Sequence, residues 1–263
     1  MINRGQSWAL ITGASSGFGV EFAKLAANDG YNLVIAARRI DKLEELAKEI
    51  KKSHNVEVVV VEIDLSMAEN INNFYRRYRP KNGFDMVINN AGFGDNNFFV
   101  DSNTNRNRQM IELNITSLTE LSQLALKDFA HKKAGYLMNV ASIAGFFSGP
   151  GMAVYYATKN YVLSLTEAIA AENNNSGIKI SALCPGATRT GFESNANIRG
   201  QSIFDSNKKL PHAAEVASYG YNKLKQGKIV AVYGLQNKFV THVARRFMTR
   251  AVTRKIIKKI SEK

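Results

Sequence analysis

Thr12-Gly13-Ala14-Ser15-Ser16-Gly17-Phe18-Gly19 joins the apolar run Trp8–Thr12 to a helical pattern from Gly17 to Asn28. The strand–turn–helix context decides how the glycines are read. Their spacing is G-x-x-x-G-x-G, distinct from the G-x-G-x-x-G of the common dinucleotide fingerprint. The physics is shared. Glycines permit a tight turn, and the absent Cβ atoms let a pyrophosphate reach the backbone and the helix N-terminus. An ordinary glycine-rich turn would not need a buried strand before it and a helix after it.

The same alternation continues along the chain. Asn32–Ala37 reads as a strand, Asp41–Lys52 as a helix and the β-branched run Val56–Ile63 as a strand. A polar helix, Met67–Arg79, stops before Pro80, and Met86–Asn90 is a short strand. Thr104–Lys132 reads as one long amphipathic helix, Tyr136–Ala141 as a strand, Val154–Asn173 as a helix and Ile178–Leu183 as a strand. Pro211 suits the first turn of a helix running to Lys225, and Ile229–Val232 is the last strand. Seven strands interleaved with helices predict an α/β fold with a doubly wound, parallel, seven-stranded sheet in three layers. The strands are unbroken apolar runs, as expected where helices cover both faces. Phe93–Asn103 and Ala187–Leu210 fit no element; both follow strand C-termini, where open α/β sheets place their ligands.

With 263 residues, 45% of them hydrophobic, the chain can bury one large core. We expect residues 1–234 to form that domain and 235–263 a basic helical extension. No apolar run reaches membrane-spanning length, and the short N-terminal run is unlike a signal-peptide core, so the expected location is cytoplasmic. The single cysteine, Cys184, excludes an internal disulfide and reads as a buried small hydrophobe. His54, His131, His212 and His242 are scattered without metal-ligand spacing, so no metal is expected.

The second strand ends in Ala36-Ala37-Arg38-Arg39. A fold that selects a nucleotide with a free ribose 2′-hydroxyl places a carboxylate there. Here two guanidiniums stand ready for a 2′-phosphate, which argues for NADP(H). Arg38 is the favoured phosphate ligand and Arg39 the turn-capping one.

Tyr155-Tyr156-Ala157-Thr158-Lys159 carries the chemistry. On a helix, positions four apart share a face, which puts the Lys159 ammonium beside the Tyr155 phenol. A cation there is expected to lower a phenol pKa that is ordinarily about 10. Ser142, thirteen residues upstream of Tyr155, could hold a substrate oxygen beside it. Tyr156 competes for the role but is read as a packing residue.

Thr12–Gly19, Asp64, Asn89-Asn90-Ala91-Gly92, Asn114, Ser142, Tyr155/Lys159 and Pro185-Gly186 together resemble the short-chain dehydrogenase/reductase family over residues 7 to about 233. Arg38–Leu46 and the basic C-terminus resemble its DltE-like branch of bacterial NADP-dependent oxidoreductases. The resemblance implies a Rossmann-type nucleotide site built from Gly13, Ser15, Ser16, Gly17, Phe18 and Gly19, with Arg38 and Arg39 at the ribose. It implies Asp64 at the adenine with Leu65 beside it, and Asn90, Ala91 and Gly92 along the adenosine, while Asn89 braces the sheet. Pro185, Gly186 and Thr188 would cover the nicotinamide, and Phe18 would narrow the site where the family has an aliphatic residue. Tyr155 would serve as general acid or base, Ser142 would orient the substrate oxygen, and Lys159 would hold the ribose and tune the phenol. Asn114 would hold a water that relays protons to Lys159.

The function so implied is hydride transfer between NADP(H) and a carbonyl or alcohol. Aromatic and methionine side chains at Phe98, Phe99, Phe146, Phe147, Met152, Phe192 and Phe204 suggest an apolar substrate. The alternative is a non-catalytic NADP(H)-binding regulator or scaffold, which would have no need of the phenol. The helices Thr104–Lys132 and Val154–Asn173 are expected to pair two subunits into a homodimer or homotetramer.

The formal net charge is +13. Between Lys238 and Lys263 there are nine basic residues and one acidic residue. Nucleic-acid binding is not expected, because no base-stacking loops interleave these charges. Apolar pairs recur about every four residues from Phe239 to Ile260, which predicts an amphipathic helix. It could pack on the protein or lie against an anionic membrane.

Overall fold

The computed structural model describes residues 6–192, 196, 210–247, 249, 251, 252 and 255. Its center is a seven-stranded parallel sheet: β1 (Trp8–Thr12), β2 (Asn32–Ala37), β3 (Val58–Glu62), β4 (Met86–Asn89), β5 (Gly135–Val140), β6 (Ile178–Cys184) and β7 (Val230–Val232). The spatial order is β3-β2-β1-β4-β5-β6-β7. The winding therefore reverses between β1 and β4, where such sheets open a ligand crevice at their C-terminal ends. All six residues of β2 are buried, which explains its unbroken apolar run.

Helices α1 (Phe18–Asn28), α2 (Ile40–Ser53), α3 (Ile71–Tyr78), α4 (Thr104–Ile111), α5 (Leu118–Lys132), α6 (Ala153–Glu172) and α7 (Ala213–Lys225) are joined to the strands. One core cluster packs α1 and α2 with α7 against the sheet, and a second packs α3 and α5 on its other face. Buried polar groups fix these layers. The Asp29 carboxylate at the end of α1 accepts from the Tyr221 hydroxyl at 2.9 Å and from Lys225 Nζ at 2.7 Å on α7. Asp128 on α5 accepts from the Tyr75 hydroxyl at 2.9 Å, Arg79 Nε at 2.8 Å and the Phe84 amide at 3.2 Å. Asn89 and Asn139 stand in register on β4 and β5. Asn89 Nδ2 donates to Asn139 Oδ1 at 2.9 Å and to Ser122 Oγ at 3.0 Å, which fits its expected bracing role.

Four expectations need correction. The long helix from Thr104 is interrupted by a π-helical stretch, Glu112–Ser117, between α4 and α5. Helical periodicity cannot reveal one wide turn, and side-chain bonds from Asn114 to the Phe93 backbone hold it open. Pro211 lies before α7 rather than in its first turn; His212 is the cap and pairs with Arg189 in an isolated bridge. The Met67–Arg79 helix begins as a 3-10 turn, Ala68–Asn70, and the unassigned Phe93–Asn103 holds another, Phe99–Asp101.

Beyond β7 the chain is helical at Leu235–Lys238, π-helical at Phe239–Ala244 and helical again at Arg245–Phe247. The expected continuation over residues 256–263 lies outside the described residues. No helix among the described residues is long and apolar enough to cross a membrane.

Candidate active site

Every expected site residue for which the structure gives a position lies at or beyond the C-terminal end of a strand, or on the π stretch and α6 beside those ends. The turn after β1 closes tightly: the Gly13 amide donates to the Ala36 carbonyl at 2.8 Å. Gly13 has φ +67°, and a Cβ there would meet Ala91 Cα and Asn90 Nδ2 at 2.9 Å. Gly19 lets α1 come so close that a Cβ would lie 2.2 Å from the Gly13 carbonyl oxygen. Thr12 joins this turn to the loop after β4. Its hydroxyl accepts from the amides of Asn90 at 3.0 Å and Ala91 at 3.1 Å, and Asn90 Nδ2 donates to the Thr12 carbonyl at 2.9 Å. Thr12 was missing from the expected site. A threonine at a strand end gives no sequence signal for this bridge.

Gly17 and Ser16 lie in the same turn, half-buried and exposed respectively. Phe18 turns its ring toward the core, 6.5 Å from Phe22, and so does not fill the turn as expected. The two arginines have different surroundings. Arg39 donates through Nη2 to Ser15 Oγ at 3.0 Å and to the Ser15 carbonyl at 3.2 Å. Arg38 is exposed and has no hydrogen-bond or ion-pair partner among the described residues. Asp64 Oδ1 accepts from the Ser66 amide at 2.9 Å and the Ser66 hydroxyl at 2.7 Å. Leu65 is buried, and its carbonyl accepts from the Ser117 hydroxyl. The glycine cradle, the helix N-terminus behind it and the outward-facing Arg38 fit a phosphorylated dinucleotide.

The second half of the site gathers around α6. Tyr155, Lys159, Ser142 and Asn114 are all buried. The Ser142 hydroxyl accepts from the Ala144 amide at 3.1 Å and lies close enough to the Tyr155 phenol to pull the phenol's pKa down. Burial outweighs that effect and pushes the pKa up to about 12. Lys159 Nζ donates to the Val140 carbonyl at 2.8 Å and lies 5.9 Å from the Tyr155 ring centroid. Burial pulls its pKa down to about 8. The expectation that Lys159 lowers the phenol pKa is therefore not met in this geometry. The ammonium is directed at a backbone carbonyl, and burial weakens its own charge.

Asn114 Nδ2 donates to the Phe93 carbonyl at 2.9 Å and to Thr158 Oγ1 at 3.1 Å. A Cβ on Gly92 would lie 3.0 Å from Asn114 Oδ1 and 3.5 Å from Lys159 Nζ, so the Gly92 backbone stands next to both side chains. The Pro185 carbonyl accepts from the Ile143 amide at 3.0 Å, which joins the loops after β5 and β6. The buried Thr188 hydroxyl donates to the Gly186 carbonyl at 3.0 Å.

An apolar wall covers the phenol. The Phe192 ring lies 5.4 Å from that of Tyr155. Gly94 sits among them: a Cβ would meet Phe192 Cζ at 2.8 Å and Met152 Cε and Tyr155 Cδ2 at 3.1 Å. Phe93, not among the expected wall residues, packs on the same cluster with Arg106 5.0 Å above its ring. Arg106 is held by the buried Asp95 at 2.8 Å. Tyr156 packs its ring where a Cβ on Gly149 would clash, which fits a packing residue. Phe98 and Phe99 instead point to solvent, and Phe204 lies outside the described residues. No group of three metal-ligating side chains occurs among the described residues.

Comparison with known proteins gives a consistent picture. The family model described as short chain dehydrogenase matches residues 7–199. An uncharacterized oxidoreductase of Staphylococcus saprophyticus is 34% identical over 184 residues, which are 69% of this chain and 74% of that protein. A short-chain dehydrogenase from Sphingobium yanoikuyae, solved in complex with NADPH, superposes with a TM-score of 0.81 at 30% identity over 92% of this chain and 91% of that one. The bulky-bulky ketone specific alcohol dehydrogenase from Comamonas testosteroni gives a TM-score of 0.78 at 29% identity over 92% and 89%.

Proposed function

The chain belongs to the short-chain dehydrogenase family, and on that premise we propose that it reduces the carbonyl of an apolar substrate with NADPH, with Tyr155 as the proton donor. It is a pyridine-nucleotide-dependent oxidoreductase; the direction, the phosphate preference and the residue roles are our reading. One observation carries that reading. The phenol of Tyr155 shares a buried cluster with the Ser142 hydroxyl and Lys159, under a wall of Phe93, Met152 and Phe192.

The nicotinamide, when bound, supplies the hydride that reaches the carbonyl carbon. The protein's residues manage the oxygen. Ser142 donates to it and stabilises its developing charge. A phenol held near pKa 12 is protonated at neutral pH, so Tyr155 is ready to give its proton to the oxygen. Lys159 and Asn114, both next to Gly92, support replacement of that proton from solvent. The ring wall excludes water and fits a hydrophobic carbonyl compound, in line with the bulky ketone named for the Comamonas testosteroni enzyme. No observation favours a non-catalytic scaffold.

Arg38 supports NADPH over NADH, because it is exposed beside the ribose end of the glycine turn and makes no other bond among the described residues. The test compares kcat/KM for the two nucleotides. NADPH should win in the unmutated protein. Arg38→Asp should weaken it about 10–100-fold, as expected for loss of a charge-assisted bond plus repulsion. Equal use of both nucleotides would refute the preference. The partly exposed α4–α5 and α6 surfaces, with Ile111 and Tyr161 outward, support a homodimer, and a monomeric mass by light scattering would refute it.

A further inference from the structure

We propose that the C-terminal end of the sheet, where the substrate cleft opens, docks on an anionic membrane surface. Phe98, Phe99 and Val100 are consecutive, and Phe99 and Val100 are 69% and 90% exposed. They are not at a frayed end. They belong to a built 3-10 turn that Ser102 closes by donating to the Phe99 carbonyl at 2.8 Å. Soluble monomers seldom hold such an apolar patch outward without a partner.

A second apolar group follows β7 and so leaves the parallel sheet at the same end as the segment after β4. Leu235 and Phe247 are 84% and 81% exposed, with Phe239 and Val240 between them also exposed. The two groups flank one loop. The Asn97 amide, next to Phe98, donates to the Gly151 carbonyl at 2.8 Å. The same loop carries Phe146, whose ring lies 6.1 Å from that of His242.

Charge selects the occupant. The chain from Lys238 to Lys263 carries nine basic residues and one acidic residue. In the described part, Arg246 and Lys255 are exposed. A second copy docking through this face would bring the exposed Arg246 of each copy into one interface, which is repulsive. An anionic bilayer meets both requirements: headgroups for the cations and acyl chains for the rings. Docking would also place the wall of Phe93, Met152 and Phe192 on the lipid side, where a lipophilic carbonyl compound dissolves.

The experiment is co-sedimentation of the full chain with vesicles, read as bound protein so that it does not depend on the catalytic reading. The vesicles are phosphatidylcholine alone, or phosphatidylcholine and phosphatidylglycerol in equal parts. The protein should sediment with the mixed vesicles only, and added salt should release it. Phe98→Ser/Phe99→Ser/Val100→Ser should weaken binding about tenfold or more. Arg246→Gln/Lys255→Gln should weaken it about fivefold per charge. The charge variant keeps the test decisive if the triple variant fails to fold. Equal binding to neutral vesicles, or insensitivity to both variants, would overturn the proposal. So would a concentration-dependent doubling of mass that the triple variant abolishes, since the face would then belong to a second copy. Binding to duplex DNA but not to vesicles would overturn it as well.

Discussion

Replacing Lys159 by methionine should make the protein more stable while removing its activity. The side chain is 5% exposed, and its one hydrogen bond among the described residues is to the Val140 carbonyl at 2.8 Å. Burial holds its pKa at about 8, against an ordinary 10.5. At about 1.4 kcal/mol per pH unit, that gap means the charged form costs about 3 kcal/mol in the folded state. Methionine has similar length and no charge. It leaves the Val140 carbonyl without a donor, which costs about 1–2 kcal/mol. The net gain at neutral pH is about 1–2 kcal/mol, or about 2–8 °C in Tm for a chain of this size. The pH dependence has a definite sign. The folded pKa lies below the unfolded one, so the unfolded chain binds more protons between about pH 8 and 10.5. Stability of the unmutated protein therefore rises through that window relative to the variant. The variant's advantage should be full below about pH 8 and should fade toward 10.5. Denaturant titrations of both proteins near neutral pH and near pH 10 measure this directly. A variant that is less stable at neutral pH, or a difference independent of pH, would refute the reasoning. A destabilising lysine retained at this position is what a functional group held against the fold's preference looks like.

Two further substitutions test the scaffold and the wall. Asp128→Ala should cost about 3 kcal/mol in a denaturant titration, because it strands the Tyr75 hydroxyl, the Phe84 amide and Arg79. Turnover per folded molecule should hold, since Asp128 bonds the Phe84 amide just before β4, at the end of the strands opposite the site. Gly94→Ala should lower kcat/KM, because the new methyl would stand 2.8 Å from Phe192 Cζ and 3.1 Å from the Tyr155 ring. Adding Phe192→Ala should restore part of the loss, and strict additivity of the two changes would count against a shared contact.

The central strands were legible because they are apolar runs buried on both faces. Trp8–Thr12 and Asn32–Ala37 agree to the residue between sequence and structure. The candidate cluster was legible because Tyr155 and Lys159 lie four apart on α6 and Ser142 stands thirteen residues upstream, just after β5. What the sequence hid depends on three-dimensional closure. The wide turn at Asn114 exists because its amide bonds across space to Phe93. Thr12 bridges two loops that are 78 residues apart in sequence. Burial sets the direction of the Tyr155 and Lys159 shifts, and spacing alone suggested the opposite sign for the phenol. Phe93 joins the wall through Arg106, eleven residues beyond the buried Asp95 that holds it, a link no periodicity shows.

Single-turnover NADPH oxidation with a carbonyl substrate, compared for Tyr155→Phe and Tyr156→Phe, tests the central claim most directly. Tyr155→Phe removes only the phenol hydroxyl, next to Ser142. The rate should fall about 10²–10⁴-fold with NADPH affinity retained. Tyr156→Phe, which alters a packing residue, should stay within about threefold of the unmutated protein. Equal losses in the two variants, or a Tyr155→Phe protein that reduces substrate at close to the unmutated rate, would contradict the account.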